Sequence, residues 1–332
     1  MAVTTVPVAL IKKAWAKDTW NVAMNNIFFG KFMGEGPNNI IQIKEELKKE
    51  KGDTITIGLL MKLKGAGVTG DNMLEGHEEE MVYRDFGVTI DQVRNAVRLS
   101  GRMEEQKTAM NMRKDAKSVL STWLTEHIDA EFFKVLSASP TTDRVVYAGG
   151  KTSEATVTET DVFTTELIGK AKRIAMTDAN AKIRPVSVKG KNYYVMIIDP
   201  WQARDLRKDE KWLRAQENAQ LRGDDNPIFT GCLGVYEGVV MHENEQISRT
   251  LTGATAASGK AKLGHALFMG AQAGVMAVGT DTTWEEDDFD YHNQKGFAIG
   301  RIMGIKKTQF KLNGTALSDF GCINVITSSK DD

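Results

Sequence analysis

The sequence predicts an α+β protein that reaches outward with an arm, a hairpin and a beam, and three observations carry that reading. Apolar and polar residues alternate from Asp53 to Lys64, and a second extended run returns from Met81 to Ile90. The stretch from Met103 to Leu136 contains neither glycine nor proline. Tyr193–Ile198 reads as a buried-type strand and runs straight into Asp199-Pro200, an N-cap and first-turn pair.

The N-terminal segment comes first. Pro7 suits a first helical turn, and the spacing of Leu10/Ile11, Ala14/Trp15 and Val22 is partly helical, until Gly30, Gly34, Gly36 and Pro37 break it. Trp15, Trp20, Phe28, Phe29 and Phe32 give it too much apolar surface to stay in water. It docks either on its own core or on a neighbouring subunit.

The alternating stretch follows. Ile55, Ile57, Leu59, Met61 and Leu63 share one face, opposite Thr54, Thr56, Lys62 and Lys64. A glycine-rich tip, Gly65 to Gly76, leads into the return run, so the spacing predicts a long two-stranded hairpin. Two strands alone are marginal in water, and the adjacent sequence offers no third. Such an arm is expected to lie across another subunit, with Gly65, Gly67, Gly70, Glu75, His77 and Glu78 at its tip.

Ala109, Met112, Ala116, Val119 and Trp123 step by three and four, and Leu124, Ile128 and Phe132 continue the stripe. Roughly 34 residues at about 1.5 Å each make a rod of about 50 Å, a beam along a flat body. Beyond it, Thr141–Thr160 reads as loop or weak strands and Phe163–Met176 as helix. A charged helix is expected from Pro200 to about Gln220. Val235–His242 reads as a strand, Ala266–Val278 as a strand or helix, and Phe297–Phe310 and Phe320–Thr327 as strands. The acidic run Trp284–Asp290 reads as a packed turn.

The 332 residues carry 43 Lys and Arg against 44 Asp and Glu, a formal charge of -1. A protein gripping many phosphates carries a basic surplus, so nucleic-acid binding is not its main task. Cys232 and Cys322 are too few for a disulfide framework or a zinc set, and read as small buried residues in a reducing compartment. No signal peptide and no apolar run of membrane-spanning length is visible, which predicts a cytoplasmic chain. The start at Met1 predicts that no large propeptide has been removed.

Candidate chemistry is sparse. Gly65-Ala66-Gly67-Val68-Thr69-Gly70 fits GxGxxG, but it runs into Asp71 and Glu75 rather than opening a helix to hold a pyrophosphate. Gly150-Lys151-Thr152 has Val145 where a phosphate loop requires glycine. The acidic run with His292, and His77 with Glu78, Glu79 and Glu80, are the two metal candidates. Neither matches a calcium-loop spacing. No catalytic residue, cofactor or metal is assigned.

One stretch carries a resemblance: Leu74-Glu75-Gly76, then Val88 through Met103, with Trp123-Leu124 and Ile128-Asp129 in the helix. Phe289-Asp290-Tyr291, Asn293 to Gly296, Gly304 to Thr308 and Asp319-Phe320-Gly321 extend it. Together these residues resemble the tailed-bacteriophage major capsid proteins. The resemblance implies that family's fold: an N-terminal arm (1–52), an extended β-hairpin loop (53–92) and a peripheral domain with a long spine helix (93–162). An axial domain (163–283) and a return of long strands to the peripheral domain (284–332) complete it. It implies a virion subunit, assembled in the host cytoplasm into pentamers and hexamers of an icosahedral head. That head encloses double-stranded DNA without sequence-specific binding. Scaffold, portal and decoration proteins are the implied partners, with no membrane. Some members crosslink a lysine to a neighbour's asparagine; Lys62 and Lys64 sit in the loop, with no partner identified. Two alternatives stand beside this reading. One is a bacterial nanocompartment shell, which shares the fold. The other is a nucleotide-binding enzyme resting on the glycine pattern at Gly65.

Overall fold

Two mixed β-sheets and one long helix organise the chain. The structure is a computed structural model and describes residues 27–48, 52–60, 63, 65, 67–107, 111–178, 182–217, 231–247, 262–311 and 317–329.

Numbering strands in chain order, the five-stranded sheet runs β1 (Met33–Gly34), β2 (Ile41–Lys44), β12 (Gly274–Phe289), β13 (Gln294–Lys307), β5 (Asp91–Arg98). Its centre is the long antiparallel pair β12–β13. The seven-stranded sheet has the order β6 (Val145–Tyr147), β16 (Cys322–Ser328), β11 (Leu263–Met269), β8 (Lys191–Ile198), β10 (Val239–Glu243), β9 (Gly234–Tyr236). A seventh strand, β7 (Val186–Val188), pairs with β8. The hairpin β3 (Thr54–Leu60) and β4 (Tyr83–Thr89) forms its own two-stranded sheet, as does β14 (Gln309–Phe310) with β15 (Ser318–Asp319).

The helices are α1 (Arg102–Lys107), α2 (Met112–Ser137), α3 (Thr165–Thr177), α4 (Pro200–Lys208) and α5 (Glu210–Glu217). The expected single rod from Met103 to Leu136 is therefore corrected. Asn111 leaves the helical conformation and its side chain accepts the Lys114 N–H at 3.1 Å, starting a new helix of 26 residues. That is about 39 Å at ~1.5 Å per residue. The buried stripe is also offset from the expected one. Ala116, Leu120, Leu124, Ile128, Phe132 and Leu136 face the core in steps of four, while Val119 is exposed and Trp123 only half-buried.

Strand β8 explains its near-continuous apolar sequence. Val195 and Ile197 point into the core shared with α2 and the five-stranded sheet. Tyr194, Met196 and Ile198 point into a second core under α3 and α4. A strand covered on both faces has no polar side. The switch at its end is as expected: Asp199 accepts the Gln202 N–H at 2.6 Å in a capping box, with Pro200 in the first turn.

Four other expectations change. Val235–His242 is two strands joined at Glu237-Gly238, both with positive φ (47° and 80°), the geometry of a tight hairpin turn. Ala266–Val278 spans two strands in different sheets, β11 and β12. The acidic run is strand rather than turn up to Phe289, within β12, with Trp284 buried and Glu285, Asp287 and Asp288 exposed, and only Asp290 enters the turn. The boundary at 283/284 cuts through β12, and the C-terminal strand β16 lies inside the seven-stranded sheet rather than returning to the other.

Candidate assembly interface

The two runs pair as the expected hairpin, with Ile55 opposite Val88, Ile57 opposite Phe86 and Leu60 opposite Tyr83. Its root is supported, which corrects the reading of an arm with nothing beneath it. Ile55, Phe86 and Val88 are buried against Val275, Ala277 and Phe310, brought from 187 to 255 residues away in the C-terminal half. Phe86 and Phe310 lie 5.8 Å apart, and Phe320 meets Phe310 edge-on at 5.3 Å. Lys306 Nζ donates to the Gly87 carbonyl at 2.7 Å and sits over the Phe86 ring at 4.9 Å. Gly304 lies so close to the hairpin that a Cβ there would stand 2.1 Å from the Thr89 oxygen.

Away from the root the hairpin runs out of cover. Ile57 and Leu59 are half-buried, whereas Leu60, Leu63, Met73, Leu74, Met81 and Tyr83 are exposed. The tip carries neither helix nor strand among its described residues, so the glycine pattern opens no phosphate-binding helix. Gly65, Gly67 and Gly70 are exposed there, the last two with φ of +69°. Glu75, His77 and Glu78 are exposed as well. The Glu78 carboxylate accepts the Gly76 N–H at 2.7 Å, and the His77 N–H donates to the Leu74 carbonyl at 3.0 Å. Met61, Lys62 and Lys64 lie outside the described residues, as do Trp15 and Trp20.

Of the other expected interface residues, Phe29 and Phe32 belong to the subunit's own core, at 0% and 3% exposure. They sit in a short 3-10 turn, Phe28–Phe32, packed against Phe132 and Phe133 of α2. Phe28 is half-buried and stacks on Phe133. The turn's start is capped by α2: Asp129 accepts the N–H groups of Phe28 and Phe29 at 2.9 and 3.3 Å. Burial pushes that carboxyl up to about 6, and the two N–H donors only partly offset it. Lys31 Nζ approaches His242 Nδ1 at 3.0 Å, and burial pulls its ammonium down to about 8 against the opposing effect of Cys232.

Among the described residues no three His, Cys, Asp or Glu side chains gather as a metal-binding set. His292 pairs with Asp288 at 2.9 Å instead. The turn expected over Trp284–Asp290 lies later, at residues 290–293. Asp290, Tyr291 and His292 all have positive φ, and Tyr291 stands fully exposed at the tip of β12–β13. The short polar break between two strand-like runs was the available signal. No helix of the described residues is long and apolar enough to cross a membrane.

Comparison with known proteins gives a consistent set. The family model described as phage capsid protein matches residues 4–331. The major capsid protein of Pseudomonas phage KPP25 is 29% identical over 361 aligned positions, covering 96% of this chain and 95% of that one. Among solved structures, the capsid of Ralstonia phage GP4 superposes with a TM-score of 0.81 at 32% identity, covering 92% of each chain. The cyanophage Pam1 capsid asymmetric unit has the same fold, with a TM-score of 0.77 at 24% identity and 92% coverage of each chain. The glycine pattern and the nanocompartment alternative gain nothing from these matches.

Proposed function

The chain belongs to the phage capsid protein family and is a structural subunit of a phage head, and we propose that it builds the head as pentamers and hexamers locked by its hairpin. In this reading residues 53–90 are the extended loop, lying across the adjacent subunit, and α2 is the spine. The seven-stranded sheet and its helices supply the axial part. Assembly takes place in the host cytoplasm, with scaffold, portal and decoration proteins as partners. The shell encloses double-stranded DNA as a wall: a formal charge of -1 offers no basic surplus for gripping phosphates.

One observation carries the proposal. Leu60 and Tyr83, paired across the hairpin on the face opposite the buried Ile55–Val88 pair, are 54% and 65% exposed, an apolar pair that nothing in the subunit covers among the described residues. A second subunit removes that surface from water, at about 25 cal/mol per Å² of apolar area. Negative-stain microscopy of the protein expressed alone, and with a candidate scaffold, tests it. Closed shells or capsomer rings are expected; a monomer or dimer under every condition refutes it.

A further inference from the structure

The five-stranded sheet ends on β5, an eight-residue strand whose outer side meets no other strand among the described residues. A free edge of that length is a template for strands of other chains. The Leu99 N–H donates to the Lys295 carbonyl at 2.8 Å, which sets the alternation of the ladder. Odd-numbered residues from Asp91 to Val97 turn their backbone groups to β13, and Gln92, Arg94, Ala96 and Arg98 turn theirs outward.

Two of those four outward N–H groups are occupied by the strand itself. Asp91 Oδ1 accepts from Gln92 at 2.7 Å, and Asn95 Oδ1 accepts from Ala96 at 2.9 Å. Asn95 stands on the half-buried face between Val93 and Val97, where alternation asks for another β-branched apolar residue. Its amide serves the edge instead. Strand β3 is a contrast. The Ile90 N–H donates to the Asp53 carbonyl at 2.9 Å, so Thr54, Thr56, Gly58 and Leu60 face outward, and no described side chain accepts from their N–H groups.

We propose that Asp91 and Asn95 close the β5 edge to strand addition, so that copies of this chain do not join sheet to sheet there. The inference rests on the reading that the chain self-assembles. Joining β5 of one copy to a different open edge of the next, such as β3, is a head-to-tail contact, which runs on as an open chain wherever its rotation does not close a ring.

Asn95→Val is the test, because valine suits the face beside Val93 and Val97 and frees the Ala96 N–H. The folded variant is expected to show several times the light scattering of the wild type at equal concentration, growing with time. Asn95→Asp, which keeps the acceptor, stays at the wild-type level. Adding Ala96→Pro to Asn95→Val removes the outward donor without breaking a bond to β13, and returns scattering to the wild-type level. Scattering by Asn95→Val equal to wild type, or undiminished in the double variant, overturns the proposal. Shell formation by the wild type reads the assembly function separately, so either idea can fail without the other.

Discussion

The carboxylate of Asp129, in the third turn from the end of the spine helix, accepts the backbone N–H of Phe28 at 2.9 Å across 101 residues of sequence. The same carboxylate takes the N–H of Phe29, and together they fix where the N-terminal segment enters the body. This is an N-cap supplied from a different element: Ile27, at the cap position itself, has no side-chain bond to offer.

A pH dependence follows from that burial. With its carboxyl raised from 3.8 to about 6, Asp129 binds a proton more readily in the folded chain than in the unfolded one. Its contribution is full below the unfolded value and is lost as pH rises through about 6, a span worth roughly 3 kcal/mol. Asp199, raised to about 6 as well, acts in the same sense. The clean readout is therefore a difference: Asp129→Asn is expected to flatten part of the fall in melting temperature between pH 4.5 and 7.5. An unchanged slope refutes the assignment.

Truncation is expected to have a sharp limit. Removing residues 1–32 takes Phe29 and Phe32 out of the core, and loss of a buried phenylalanine costs about 3–5 kcal/mol. Urea unfolding of this truncation should show a large loss of monomer stability relative to one that ends at residue 26.

The hairpin separates folding from assembly. Leu60→Asp with Tyr83→Asp alters exposed positions, so monomer stability should change by no more than about 0.5 kcal/mol while shells fail to form. Ile57→Asp with Leu59→Asp touches half-buried residues packed on the root and should lower stability as well. Thermal melts paired with microscopy distinguish the two variants.

Lys307 and Asp319 make a buried ion pair at 2.9 Å, and Lys307 also donates to the Ala138 carbonyl at 2.7 Å, at the end of the spine. Asp319 further accepts from Gln309 at 2.8 Å and from the Thr141 N–H at 3.1 Å. Lys307→Met leaves that carboxylate buried without its cation, and a loss of about 3–5 kcal/mol is expected in denaturant titration. Near-wild-type stability contradicts the pair's role.

What the sequence determined by itself is local. Period-2 alternation gave the hairpin and its pairing, since side chains of a strand alternate faces whatever lies beyond. The Asp199-Pro200 switch was legible because a cap and a first turn need only four residues. The family resemblance was legible for a related reason: its residues lie in a few continuous stretches. Tertiary structure alone decided the rest. It set which four-step row of α2 is buried and left Val119 in water, because that depends on the sheet the helix meets. It took Phe29 and Phe32 into the subunit's own core, and brought Val275, Ala277 and Phe310 beneath a hairpin whose adjacent sequence held no support. It also put the C-terminal strand between β6 and β11. Propensity and periodicity depend on neighbours along the chain, whereas these contacts join faces from fifty-three to more than two hundred residues apart, and only the packed whole selects them.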